Sequence, residues 1–167
     1  MSKYSKSLTS LSAVAAMLIA VTAVRSTALA APVPLEGVWR TVEVVIPSSA
    51  QTFKPGATLA IFHGRHYSRV EVHAESPRPV LKDPAAASAS ELRATWGPFV
   101  GEAGTFEVTG NQITMQALVA KNPAAMTKGA TSVYTYERNG ETLLMTQVRT
   151  HSGPSPAPTT IKLVRVE

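Results

Sequence analysis

From Glu36 to the end of the chain, short runs of apolar residues alternate with clusters of Gly, Pro, Asn and Ser. This rhythm predicts strands joined by turns. Glu36 to Ile46 is the first strand and stops at Pro47, Ser48 and Ser49. Ala57 to Phe62 and Arg65 to Glu75 form a hairpin around His63 and Gly64, where glycine takes the positive φ of a tight turn. Thr105 to Val108 pairs with Gln112 to Ala120 across Gly110 and Asn111. Ser132 to Arg138 and Glu141 to Arg149 meet at Asn139 and Gly140, the strongest short hairpin signal in the chain. Thr159 to Val166 closes the series. The pattern predicts an all-β chain of eight antiparallel strands joined mainly by short turns, either an up-and-down barrel or a strongly curved sheet.

One stretch breaks the rhythm. Ser88 and Glu91 are spaced as a capping box, and Leu92 and Trp96 share one helical face, so Ala85 to Trp96 is expected to be one short helix, ended by Gly97 and Pro98. Pro77 and Pro79 make Ser76 to Asp83 an extended connector. The helix either plugs one mouth of the barrel with Leu92, Trp96 and Phe99 or lays those side chains over an outer face.

Ahead of the strands, Lys3 and Lys6 precede an apolar run from Leu11 to Val24, and Ala28, Leu29 and Ala30 give an A-x-A-like cleavage site. Residues 1–30 are expected to be a cleaved secretory signal, and residues 31–167 a single exported domain, periplasmic or extracellular, with no membrane anchor after cleavage. The signal carries Lys3, Lys6 and Arg25, so the formal charge of +5 falls to about +2 in the exported part. The remaining Lys and Arg are scattered without a stripe, which argues against a nucleic-acid partner. The absence of cysteine excludes a disulfide, a thiolate metal site, a cysteine nucleophile and a lipoprotein anchor.

Several landmarks resemble the bacterial lipocalin-like domain family. They are Gly37 and Trp39 on the first strand, then Glu91, Leu92, the Pro98 and Phe99 pair, and the run Ala103, Gly104, Thr105, Phe106, Glu107 and Val108. Gly110 and Asn111, Ile113 and Thr114, Asn122 and Pro123, and the terminal Leu163 to Glu167 complete them. The resemblance implies a calycin-type lipocalin-like barrel with binding of a small apolar molecule as the default expectation. It also makes Trp39 and Arg165 partners on neighbouring first and last strands. A guanidinium stacked on an indole there is worth about 0.5–2 kcal/mol. Gly37 lets the chain pass close beneath them, so Gly37, Trp39 and Arg165 are read as the barrel closure.

Strand parity supplies the candidate ligand contacts. Tyr67, Arg69, Glu71 and His73 share one face, with Val70 and Val72 on the other. If the valines fill the core, the charged set is solvated. Met115 and Ala117, Tyr134 and Tyr136, and Leu143 and Met145 are further same-face pairs. Methionine and tyrosine suit an adaptable apolar cavity and an ordinary core alike. The ligand-contact candidates are Tyr67, Arg69, Met115, Tyr134, Tyr136, Met145 and Arg149.

No catalytic motif stands out. There is no Gly-x-Ser-x-Gly elbow, and Asp83, the sole aspartate, sits beside Pro84 in the connector. His63, His66, His73 and His151 lack supporting ligands at helpful spacing, so neither metal nor cofactor is expected. Three functions are compatible with the chain: an exported carrier of a small apolar molecule, a cell-envelope module that binds a protein through its surface, and a cofactor-free isomerase or cyclase. The last requires an inward ionisable group among Arg69, Glu71 and Arg149.

Overall fold

The computed structural model describes residues 35–167, and the targeting segment read over residues 1–30 lies outside them. Among the described residues, nine strands form one antiparallel sheet: β1 (Gly37–Ile46), β2 (Gln51–Phe53), β3 (Thr58–His63), β4 (His66–Val72), β5 (Phe99–Thr109), β6 (Gln112–Ala120), β7 (Ser132–Asn139), β8 (Thr142–Thr150) and β9 (Gly153–Arg165). β1 also pairs with β9, so eight of these strands close into an up-and-down barrel. The ninth, β2, is short and lies along the last three residues of β1, beyond the point where β3 has left that edge.

Alternation along each strand decides what fills the barrel. On β3, Ala60 and Phe62 point in and are buried, whereas Leu59 and Ile61 point out. Leu35, Trp39, Phe62, Phe106, Ile113, Met115, Tyr134, Leu143, Met145, Ile161 and Leu163 belong to a single apolar core. The turns at Gly64, Gly110 and Gly140 gather at one end, where Trp39 is fully buried. The connection between β4 and β5, with its helix, and the β6–β7 and β8–β9 connections gather at the other end, the mouth.

The closure has the partners expected. Trp39 stands opposite Arg165 in the β1–β9 register, with the guanidinium carbon 5.7 Å from the indole centroid. Arg138 approaches the same ring at 5.5 Å, and the indole Nε1 donates to Leu35 O at 2.8 Å. Gly37 has φ +130°, and a Cβ there would sit 2.8 Å from Glu167 O and 2.9 Å from an Arg165 nitrogen.

The chain departs from the expected elements in four places. β2 carries too few residues to show as a run. β5 begins at Phe99 rather than Thr105, an earlier start that Gly101, Ala103 and Gly104 hid by diluting its apolar signal. β9 begins at Gly153 rather than Thr159, so Pro154, Pro156 and Pro158 lie within the strand. The helix α1 is shorter than expected, Ala89–Trp96, with the Ser88–Glu91 capping box in place. α1 buries none of its residues. Leu92 and Trp96 form a half-exposed outer cover, with Trp96 edge-on to Phe99 and the Arg78 guanidinium over both rings.

Candidate functional site

The inner face of β4 carries the chemistry. Tyr67 and Glu71 are buried while Val70 is 44% exposed, so the apolar residue faces outward and the polar set faces into the barrel. This reverses the arrangement in which the valines fill the core. Pairing explains it: Arg69 lies opposite Glu102 and Glu71 opposite Val100, and a side chain shares its face with its cross-strand partner.

Glu71 is wholly buried and nearly saturated with partners. Thr41 Oγ1 donates to Glu71 Oε1 at 2.8 Å, and Oε2 lies 2.6 Å from His73 Nε2. Arg69 reaches Glu102 Oε1 at 3.0 Å and stands 4.0 Å from Glu71 Oε1 through its Nε. That Nε is buried without a hydrogen-bond partner among the described residues. Burial alone pushes the Glu71 carboxyl upward, but the hydrogen bond from His73, the Arg69 charge and the Thr41 hydroxyl outweigh it and hold Glu71 below the usual carboxylate range. Burial works against the Arg69 charge too, yet Tyr134, Glu71 and Glu102 hold its pKa above the ordinary value. Burial also pushes the Tyr67 and Tyr134 phenols upward, so both stay protonated hydrogen-bonding groups.

The row ends at a cleft. β3 pairs with only the first three residues of β1, and β2 takes the same edge over the last three, so a notch opens where the two neighbours diverge. Gln51, Thr52 and Phe53 from one side and His73, Ala74, Glu75 and Ser76 from the other line a space of about 650 Å³. Phe53 meets the His73 ring edge-on at 5.5 Å. His73 therefore has one ring nitrogen on a buried carboxylate while its side chain remains 28% exposed at the cleft.

The other candidates are divided by position. Tyr67, Arg69 and Tyr134 belong to the network beneath the cleft. Met115 and Met145 are packed core, and the cavity bounded by Tyr67, Glu102 and Met115 measures about 10 Å³, room for one water. Tyr136 is half-buried towards the turn end, where its hydroxyl donates to Gly110 O at 3.3 Å. Arg149 does not join them. The pairing shifts between Gln147 and Arg149, Val148 is the extra residue, and Arg149 is exposed beside Val133 on the outer surface.

Sequence reasoning missed Thr41, Glu102 and Phe53. The first two are polar residues within apolar strands, the available signal for a group that needs a buried partner; Phe53 gave none, since its strand was not foreseen. Among the described residues, no group of three or more His, Asp or Glu side chains is placed to hold a metal ion.

No family model and no curated protein matches the chain. Among solved structures, the chain is similar to a lipocalin-like protein from Bacteroides uniformis at 13% identity and a TM-score of 0.46, covering 78% of this chain and 97% of the other. An uncharacterized protein from Bacteroides eggerthii is similar at 10% identity and a TM-score of 0.44, covering 78% and 98%. What the described residues establish is the fold itself, a closed eight-stranded antiparallel barrel with one short α-helix.

Proposed function

We propose that the protein is an exported small-molecule-binding barrel whose ligand enters at the mouth rather than the deep interior. The observation that carries this reading is the inward row of Arg69, Glu71 and His73 rising to a cleft of about 650 Å³. That size is within the range of small-molecule sites, and a few convergent polar groups beside an aromatic ring are the usual means of orientation. The ligand presents a hydrogen-bonding group to the His73 side and an apolar part to Phe53. In the core beneath, Met115, Tyr134 and Met145 are almost fully buried, and the space beside Met115 measures about 10 Å³.

Native mass spectrometry of gently purified exported protein, followed by a panel of fatty acids, quinones and aromatic dyes, tests this. A ligand that is retained by the wild type and by Arg149→Ala, but lost with Phe53→Ala or His73→Ala, is the expected result. Retention by both cleft variants would overturn it.

A second reading has one observation in its favour. Leu59 and Val70 stand opposite each other on the outer face of β3 and β4, and both are exposed, with Ile61 close by in the same strand. An exposed apolar patch of this kind fits a protein-binding surface. A clean apo mass, no binding from the panel and loss of a protein partner on Leu59→Lys would favour it.

A further inference from the structure

We propose that His73 is a general base in the mouth cleft, positioned by Glu71, and that the cleft carries out proton transfer on a small planar carbon acid. This rests on the cleft being a small-molecule site and adds chemistry to it. Glu71 is fixed from a second direction by Thr41, so its Oε2 holds His73 Nε2 in one orientation at 2.6 Å. The His73 backbone N–H donates to Pro98 O at 2.8 Å, and Phe53 packs against the ring, so backbone and ring are both held. A carboxylate on one imidazole nitrogen fixes the tautomer that carries its proton there, leaving a lone pair on the other. Nδ1 has no hydrogen-bond partner among the described residues. The charged groups around the pair are Arg69 beside Glu71, Glu102 on Arg69, and Glu75 in the cleft wall.

The reaction class needs no cofactor. Nδ1 accepts a proton from a C–H beside a polarising group, and the C–H electron pair moves into a new π bond as charge reaches the polarising atom. The imidazolium then returns the proton to another carbon of the same molecule. Nothing is oxidised or reduced, and the net change is an isomerisation. Phe53 offers a face for a planar substrate, and Glu75 and Ser76 supply polar groups along the wall.

The probe is 5-nitrobenzisoxazole, in which a base takes the C3 proton as the N–O bond breaks and its electron pair leaves on the phenoxide, giving a coloured nitrile. Saturable turnover by the wild type and a loss of roughly 100-fold in kcat/KM for His73→Ala, with an unchanged circular dichroism spectrum, are expected. Glu71→Gln, which preserves the shape, is expected to lower kcat while leaving KM nearly unchanged. A purely structural Glu71 would leave kcat of the folded variant unchanged, which would overturn its positioning role. Turnover equal to buffer, or equal in His73→Ala, would overturn the base. Displacement of 1-anilinonaphthalene-8-sulfonate by the probe separates the cases: saturation without turnover defeats the chemistry alone, and no saturation defeats the binding site with it.

Discussion

The Arg165 guanidinium lies over the Trp39 indole at 5.7 Å, joining the last strand of the barrel to the first through side chains as well as through the ladder. Trp39 is the larger contributor, because it is fully buried among Leu35 and the surrounding core while Arg165 keeps contact with solvent. Urea unfolding is expected to show Trp39→Ala costing about 3–5 kcal/mol. Arg165→Met, which removes the charge but keeps much of the stem, is expected to cost about 0.5–2 kcal/mol.

Gly37 and Gly104 are close-approach positions of different kinds. At Gly37 the left-handed φ and the nearby Arg165 both oppose a side chain, so Gly37→Ala is expected to cost about 1–3 kcal/mol. At Gly104 a Cβ would fall 2.0 Å from Gln116 O, inside the neighbouring strand. Gly104→Ala must therefore part β5 from β6 where the register already shifts, and a larger fall in thermal midpoint than for Gly37→Ala is expected by calorimetry.

Glu71 makes stability sensitive to acid. Its folded pKa lies below the ordinary value of 4.5, so it contributes stability that is complete above that value and is lost as pH falls through the lower folded one. In urea titrations between pH 7 and pH 3, the wild type is expected to lose more stability than Glu71→Gln. Glu71→Ala, which leaves Arg69 with an uncompensated buried charge on that side, is expected to cost about 3–5 kcal/mol at neutral pH.

Lys121 holds the end of α1. Its ammonium donates to Trp96 O, to Gly97 O at 3.1 Å and to Phe99 O at 2.7 Å, gathering carbonyls at the helix C-terminus where a cation is favoured. Lys121→Met is expected to speed amide exchange across Ala89–Trp96 while the barrel strands keep their protection.

Much of the fold was legible because the hairpins are local. Asn139 and Gly140 carry their own turn chemistry, and Trp39 and Arg165 mark the two strands that must meet. The inward faces were harder, because parity holds only between bulges. Val42 is an extra residue on β1 opposite β9, so the buried series passes from Trp39 and Thr41 to Val44, and a count from Trp39 would have placed Glu43 inside. Val148 does the same to β8 opposite β7 and turns Arg149 outward. On β4 the parity was regular, but composition favoured Val70 over Arg69 for the interior. The decision belonged to Glu102 and Thr41 on other strands, which supply the partners that make burying Arg69 and Glu71 tolerable. His73 was legible as a residue and not as a site, since the cleft depends on β2.

The prolines of β9 have a consequence for self-association. The pairing of this strand with β1 reaches only Thr160, and β8 pairs with Gly153 and Pro154 and then again from Thr159, so residues 155–158 stand outside both ladders. Pro154, Pro156 and Pro158 alternate over residues 154–158, so every second amide lacks a hydrogen to donate. Alternate residues of a strand direct their N–H to the same edge, so the three prolines strip the donors from one edge of this stretch and disfavour the addition of a foreign strand there.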